Sequence, residues 1–187
     1  IYLGADGVPK GRAVAEDELV DLSEQPCYLG VEVDAADLPA PVTAAWVCDA
    51  GEQPELEAAL ELTVNAGSDR QIRAVAFLNE EGWITTFASY DATTLAPGFV
   101  ELTLVLEELE VGSLDGFVTS APRDVVQVWL TDLDSGVRLP PVPATPSGGG
   151  FHFEVEWLPR GRFFGLTPEL ANGDPLEVLD CPVYVTP

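Results

Sequence analysis

Apolar positions along this chain alternate with polar ones far more often than they recur every three or four residues. In PCYLGVEV (26–33), Cys27, Leu29, Val31 and Val33 share one face, and in VTAAWVC (42–48) Val42, Ala44, Trp46 and Cys48 do the same. A period of two is that of a β-strand with one buried face. Similar short runs, rich in Val, Leu, Thr and aromatic residues, predict strands at 11–15, 27–33, 42–48, 58–65, 71–79, 83–90, 99–107, 114–120, 124–132, 151–157, 162–166 and 177–185. Gly, Pro, Asn and Asp clusters separate them at roughly the 8–12-residue spacing of all-β sandwiches. The fold class expected is therefore all-β, an antiparallel immunoglobulin-like sandwich or pair of sandwiches with little helix.

One arrangement repeats loosely. VTAAWVCDAG (42–51), IRAVAFLNEEG (72–82), VVQVWLTDLDSG (125–136) and FHFEVEWLPRG (151–161) each run an aromatic-bearing strand into a polar turn that ends in Gly. Glycine supplies the positive φ that many hairpin turns require. Helical patterning is confined to AVAEDELVDLSE (13–24) and PELEAALEL (54–62), the latter with Pro54 at a first helical position. LPPVPATPSGGG (139–150) reads as a connector, stiff in its proline half and loose in its glycine half.

Composition changes the picture chiefly through charge. The 187 residues are 47% hydrophobic, enough for a substantial core, and carry 32 acidic against 8 basic side chains, a net charge of −24. Binding to a nucleic-acid backbone or an anionic membrane surface depends on Lys and Arg, so both are excluded as partners. No apolar run reaches the ~20 residues of a membrane span, so direct insertion is not expected, and a chain that starts at Ile1 has the look either of a mature, processed protein or of a trimmed piece. Residues 1–110 hold 22 acidic and 4 basic residues (−18), whereas 111–187 hold 10 and 4 (−6). Two units follow, about 1–110 and 111–187, the second either its own sandwich or a continuation of one larger one.

The alternation also places the cysteines. If Val33 opposes Val42 in an antiparallel hairpin, Val31 meets Ala44, Leu29 meets Trp46, and Cys27 meets Cys48 on the apolar face. A Cys27–Cys48 disulfide is the pairing expected, which suits an oxidising, extracytoplasmic compartment. Cys181 is left over: a buried thiol, the true partner of one of the other two, or the site of an intermolecular bridge. Zinc is disfavoured, because three Cys and the single His152 are too scattered for ligand spacing.

Chemistry-bearing constellations are scarce. A Ser-His-Asp or Cys-His arrangement would have to be built around His152, which alternates with Glu154 and Glu156 opposite Phe151, Phe153, Val155 and Trp157 and so belongs on a solvated strand face. No enzyme is expected. In Thr131-Asp132-Leu133-Asp134-Ser135-Gly136, Asp132 and Asp134 offer carboxylates at alternate positions, which makes Ca²⁺ the one cofactor candidate. The third ligand and the distal bidentate Glu of a calcium loop are missing, and a hairpin turn needs only Asp, Ser and Gly there. Trp83, just after a turn, is the candidate stacking platform for a carbohydrate, since Trp46 and Trp129 lie on patterned strands.

LPRGRFFG (158–165) places Arg160 and Arg162, two of seven arginines, beside Phe163 and Phe164. Arg with aromatics is the composition enriched at interfaces. Engagement of this patch by the acidic part of a second copy would be heterologous and could propagate into a fibre. The alternative is a plain hairpin with the Phe side chains in the core and the Arg side chains in water.

The middle of the chain carries a family resemblance. LELTVNAGSDRQIRAVAFLNEEGWITTFASYDATTLAPGFVELTLVL (60–106) has a strand entering Asn-Ala-Gly, a strand–turn–strand pair, and Thr94-Leu95-Ala96-Pro97-Gly98 leading into an alternating strand. In these features it resembles the immunoglobulin-like domains of bacterial and archaeal cell-surface proteins, including the CARDB type. The resemblance implies an extracellular, non-catalytic β-sandwich and no particular functional residue. Together with the edge-capable strands and the uneven charge, it leads to the expectation of a structural subunit of a surface fibre, pilus-like filament or layer, self-associating through strand edges and the Arg/Phe patch. A carbohydrate- or calcium-binding adhesion module is the alternative.

Overall fold

A computed structural model describes residues 11–15, 18–48, 60–119, 124–176 and 182–186. The chain divides into two compact units, the first taking residues 1–18, 24–80 and 85–108 and the second 19–23, 81–84 and 109–187. The regular structure among the described residues is all strand. In chain order it comprises β1 (Arg12–Ala13), β2 (Cys27–Asp34), β3 (Val42–Val47), β4 (Gly67–Glu80), β5 (Trp83–Leu95), β6 (Glu107–Glu108), β7 (Val111–Thr119), β8 (Val125–Asp132), β9 (Arg138–Pro143), β10 (Thr145–Ser147), β11 (Gly150–Pro159), β12 (Phe163–Leu170) and β13 (Val183–Tyr184).

The first unit is built on a six-stranded sheet in the order β1-β3-β2-β4-β5-β6. Its β2–β3 register is the one that the alternation predicts: Val33 opposes Val42, Val31 opposes Ala44 and Leu29 opposes Trp46. Beyond that pairing the Cys48 amide donates to the Cys27 carbonyl, and the two cysteines form a disulfide with Cα atoms 5.3 Å apart. Such a cross-link belongs to the chemistry of an oxidising compartment. Cys181 lies outside the described residues.

Arg70 on β4 is fully buried, and all its donors are used. Its Nε donates to the Asn65 carbonyl, Nη1 to Asp37 and the Ser68 carbonyl, and Nη2 to Asp37 and the Ala66 carbonyl. The guanidinium therefore holds the Asn-Ala-Gly-Ser bend in place, and a Cβ at Gly67 would come within 2.2 Å of Arg70 Nη2. Between β4 and β5, Glu81 (φ 55°) and Gly82 (φ 91°) both take the left-handed conformation of a type I′ hairpin turn.

The second unit packs a three-stranded sheet, β10-β11-β7, against a four-stranded one, β13-β12-β8-β9. Phe151, Phe153 and Val155 of β11 fill the core with Val128 and Leu130 of β8, Leu139 and Val142 of β9, and Phe164 of β12. His152, Glu154 and Glu156 alternate onto the other face, where His152 Nε2 lies 2.7 Å from Asp115.

Four expectations are corrected. The proline-glycine segment is no loose connector, because it supplies β9, β10 and their turn. Proline lacks an N–H and is tolerated where that side of a strand faces away from the ladder, and β9 and β10 are both outer strands. Gly148 (φ 51°) and Gly149 (φ 96°) then close the β10–β11 hairpin, whose register pairs Ser147 with Gly150. The segment 99–107 joins a sheet only at Glu107–Glu108, and 60–66 joins none, although Leu60, Leu62 and Val64 remain half-buried in alternation. Alternation fixes which face is apolar but not whether a neighbouring strand lies within hydrogen-bonding distance.

Finally, residues 18–24 are not helical. Val20 and Leu22 are buried two apart, and the segment bridges β9 through Leu22 N–H to the Arg138 carbonyl and Arg138 N–H to the Val20 carbonyl. Most of the other helical candidate, 54–59, lies outside the described residues.

Two predictions follow from the first unit. The disulfide closes a separation of 21 residues, for which chain-entropy arguments give about 3 kcal/mol. A Cys27→Ala/Cys48→Ala variant should therefore unfold earlier than the oxidised parent in a denaturant titration and match the reduced one. Equal midpoints for oxidised and reduced parent would refute the pairing.

The second concerns acid. Hydrogen bonds from Arg70 hold the Asp37 carboxyl below the ordinary aspartate value of 3.8, and Arg12 together with the Ala15 amide holds Glu18 down to about 2. A lowered folded-state pKa stabilises the fold above the ordinary value, and that contribution fades as pH falls toward the folded one. Between about pH 5 and about pH 3, Asp37→Asn should lose thermal stability less steeply than the parent. Comparing the two slopes removes the general relief of acidic self-repulsion, which both proteins share.

Candidate interaction surface

The turn from β8 to β9 shows what Asp132-Leu133-Asp134-Ser135-Gly136 does. The Gly136 amide donates to the Asp132 carbonyl at 2.8 Å, the Asp132 amide to the Val137 carbonyl at 2.9 Å, and Gly136 takes a φ of 72°. The Ser135 amide and hydroxyl both donate to Asp132 Oδ2. Asp132 itself is wholly buried.

Its charge is balanced by Arg162, which enters from the turn before β12: Nε donates to Oδ1 at 2.8 Å and Nη2 to Oδ2 at 2.5 Å. Both carboxylate oxygens are thus engaged by protein donors. Asp134 is exposed, 3.8 Å from the same Arg162 nitrogen.

This pair decides the fate of the Arg/Phe patch. Arg162 is a structural cation, with a side chain only 13% exposed. Phe164 is fully buried in the core. Phe163, one position earlier, points outward and is 45% exposed. It opposes Tyr184 of β13, with ring centroids 4.6 Å apart, and its carbonyl accepts from the Leu133 amide.

Leu133 reaches over Gly165, where an added Cβ would lie 3.1 Å from Leu133 Cδ2. Leu133, Phe163 and Tyr184 therefore make one exposed apolar row on the outward face of the four-stranded sheet. Arg160 stands beside it, bonded to the Val111 carbonyl and to Glu110, and together with Gly112–Leu114 and Val183–Thr186 it lines a cleft of about 310 Å³.

Tyr184 and Leu133 were not singled out by sequence reasoning. Leu133 lies inside the turn motif and Tyr184 in a two-residue strand, and the only signal for either is its place beside Phe163 in the folded sheet.

The tryptophans divide differently from the pattern. Trp157 is buried. Trp129 is half-buried on the outward face, since Val128 and Leu130 take the core positions. Its indole N–H donates to Glu169, and the Arg138 guanidinium lies 3.7 Å from the ring centroid. Trp83, by contrast, is 48% exposed at the start of β5, where the stacking reading needs it.

Comparison with family models, with curated proteins and with solved structures gives no match.

The buried pair and the rim arginine should respond very differently to substitution. Removing one partner of a buried pair strands the other charge, so Arg162→Met or Asp132→Asn is expected to cost about 3–5 kcal/mol in equilibrium unfolding. Arg160→Ala should cost less than about 1 kcal/mol. Ca²⁺ should leave the melting temperature of the parent unchanged; a calcium-dependent rise lost in Asp134→Ala would show that the turn binds the ion after all.

Proposed function

We propose that this chain is a non-enzymatic extracellular structural subunit of a surface filament or layer. The observation that carries this reading is the exposed Leu133–Phe163–Tyr184 row on a sheet that ends in the two-residue strand β13. Exposed Leu133 in the β8–β9 turn and Phe163 and Tyr184 on the neighbouring strands β12 and β13 form the apolar centre that an interface requires, with Arg160, bonded to Glu110, at its rim. The disulfide and the resemblance of residues 60–106 to cell-surface immunoglobulin-like domains support the extracellular setting.

A carbohydrate-binding accessory module is the second reading, favoured by exposed Trp83 at the edge of a hairpin.

Negative-stain electron microscopy of the protein at increasing salt tests the proposal. Filaments or regular arrays are expected, and Phe163→Asp/Arg160→Glu should abolish them while leaving the fold intact by circular dichroism. A protein that stays monomeric yet binds glycans on an array, with binding lost in Trp83→Ala, would establish the second reading instead.

A further inference from the structure

The terminal strands of the three sheets are unequal. Among the described residues, β1, β6 and β13 have two residues each, β10 has three including Pro146, and β9 has six, of which Pro140, Pro141 and Pro143 lack an N–H. Short length and proline protect the terminal strands themselves from pairing with another chain, although β6 covers β5 only at Phe87 and Ala88. β7 has neither. Its nine residues, VGSLDGFVT, contain no Pro and no Lys, carry Asp115 as their single charge, and among the described residues pair on one side only, with β11.

We propose that β7 pairs antiparallel with β7 of a second copy about a twofold axis. The sequence of the strand is complementary to itself in one register, the one that sets Leu114 opposite its own copy. Val111 then meets Phe117, Gly112 meets Gly116, and Ser113 meets Asp115, so that the one carboxylate finds a hydroxyl on each side of the axis. Val111 (39% exposed) and Phe117 (49% exposed) are the exposed large apolar side chains of β7, and this register brings them together across the contact. The register centred one residue later sets Asp115 against Asp115, a directly opposed like-charge pair, and is disfavoured for that reason.

The two glycines have their own inward duties. A Cβ at Gly116 would fall 2.3 Å from the Phe153 ring and one at Gly112 would fall 2.8 Å from Val185, so they are required by core packing and mark no edge function.

The pairing is isologous and closes as a dimer. It rests on the reading of this chain as a self-associating subunit and assigns one of its contacts; propagation into a filament needs the separate surface around Phe163. With −24 on each copy, long-range repulsion opposes the dimer at low ionic strength. Screening shortens from about 10 Å at 0.1 M salt to about 3 Å at 1 M, so association should strengthen with salt.

The test combines a cross-link with a charge swap. In a Cys181→Ser background, Ser113→Cys and Asp115→Cys proteins are mixed at high salt and mildly oxidised. Cross-linked dimer is expected from the mixture and not from either protein alone, because position 113 faces position 115. By sedimentation velocity, Ser113→Asp should weaken the dimer roughly tenfold. Ser113→Arg should strengthen it, a reversal of sign that general loss of folding would not give.

Electron microscopy of the same samples separates the two proposals. Filaments without the mixed cross-link and with no response to Ser113→Asp overturn the β7 contact and leave the filament reading standing. Cross-linked dimers without filaments sustain the β7 contact and overturn that reading. Monomers at every salt concentration overturn both.

Discussion

The carboxylate of Asp132 is a charge removed from water, and much of the second unit is arranged around neutralising it. An unpaired ion in that position would be costly, so the Arg162 guanidinium must lie alongside, which fixes the end of β8 against the start of β12. With Arg162 held there, strand alternation leaves no freedom: Phe164 must enter the core and Phe163 must face outward. The exposed aromatic row is thus a consequence of a buried ion pair. Arg70 plays the comparable part in the first unit, where one guanidinium gathers three carbonyls and Asp37. Both positions use the planar fork of arginine, whose donors diverge in fixed directions in a way an ammonium cannot copy.

What the sequence discloses follows the range of the interaction concerned. The register of β2 on β3, and with it the disulfide, was legible because two alternating segments eight residues apart could be aligned by their apolar faces. The turn at 132–136 was legible because Asp, Ser and Gly act on their own backbone. Arg162 was misplaced into solvent because its partner lies 30 positions away, and Arg70 went unnoticed because Asp37 is 33 positions away. No local pattern distinguishes a solvated arginine from a buried one, and the choice between Phe163 and Phe164 depends on that distinction. The proline-rich strands were hidden for a different reason. Proline argues against a central strand, but an outer strand has a side on which the missing N–H is not needed.

The same outer strands show how the fold limits its own association. Three prolines on β9 and the shortness of β10 blunt those two terminal strands, whereas β6 covers β5 only at Phe87 and Ala88 and β13 covers β12 only at Phe163 and Phe164. β7 departs from this scheme over nine residues, though a proline at an exposed position would be a simple means of closing it. What sets β7 apart from the other open edges is its self-complementarity, because the only charge on the strand meets a hydroxyl in the self-paired register.

Charge determines where such contacts can lie. A chain of net charge −24 repels its own copies over most of its surface, so association has to proceed through strips that carry little charge and at salt concentrations that screen the rest. The acidic excess is concentrated in residues 1–110, at −18, while residues 111–187 carry −6. β7 and the Leu133–Phe163–Tyr184 row both belong to the second stretch. The described arginines there do not form a free basic patch: Arg162 is committed to Asp132, Arg138 to the Trp129 ring, and Arg160 in part to Glu110. In the proposed assembly, attraction between copies would therefore come mainly from apolar burial and strand pairing, with electrostatics deciding which registers and which faces are permitted.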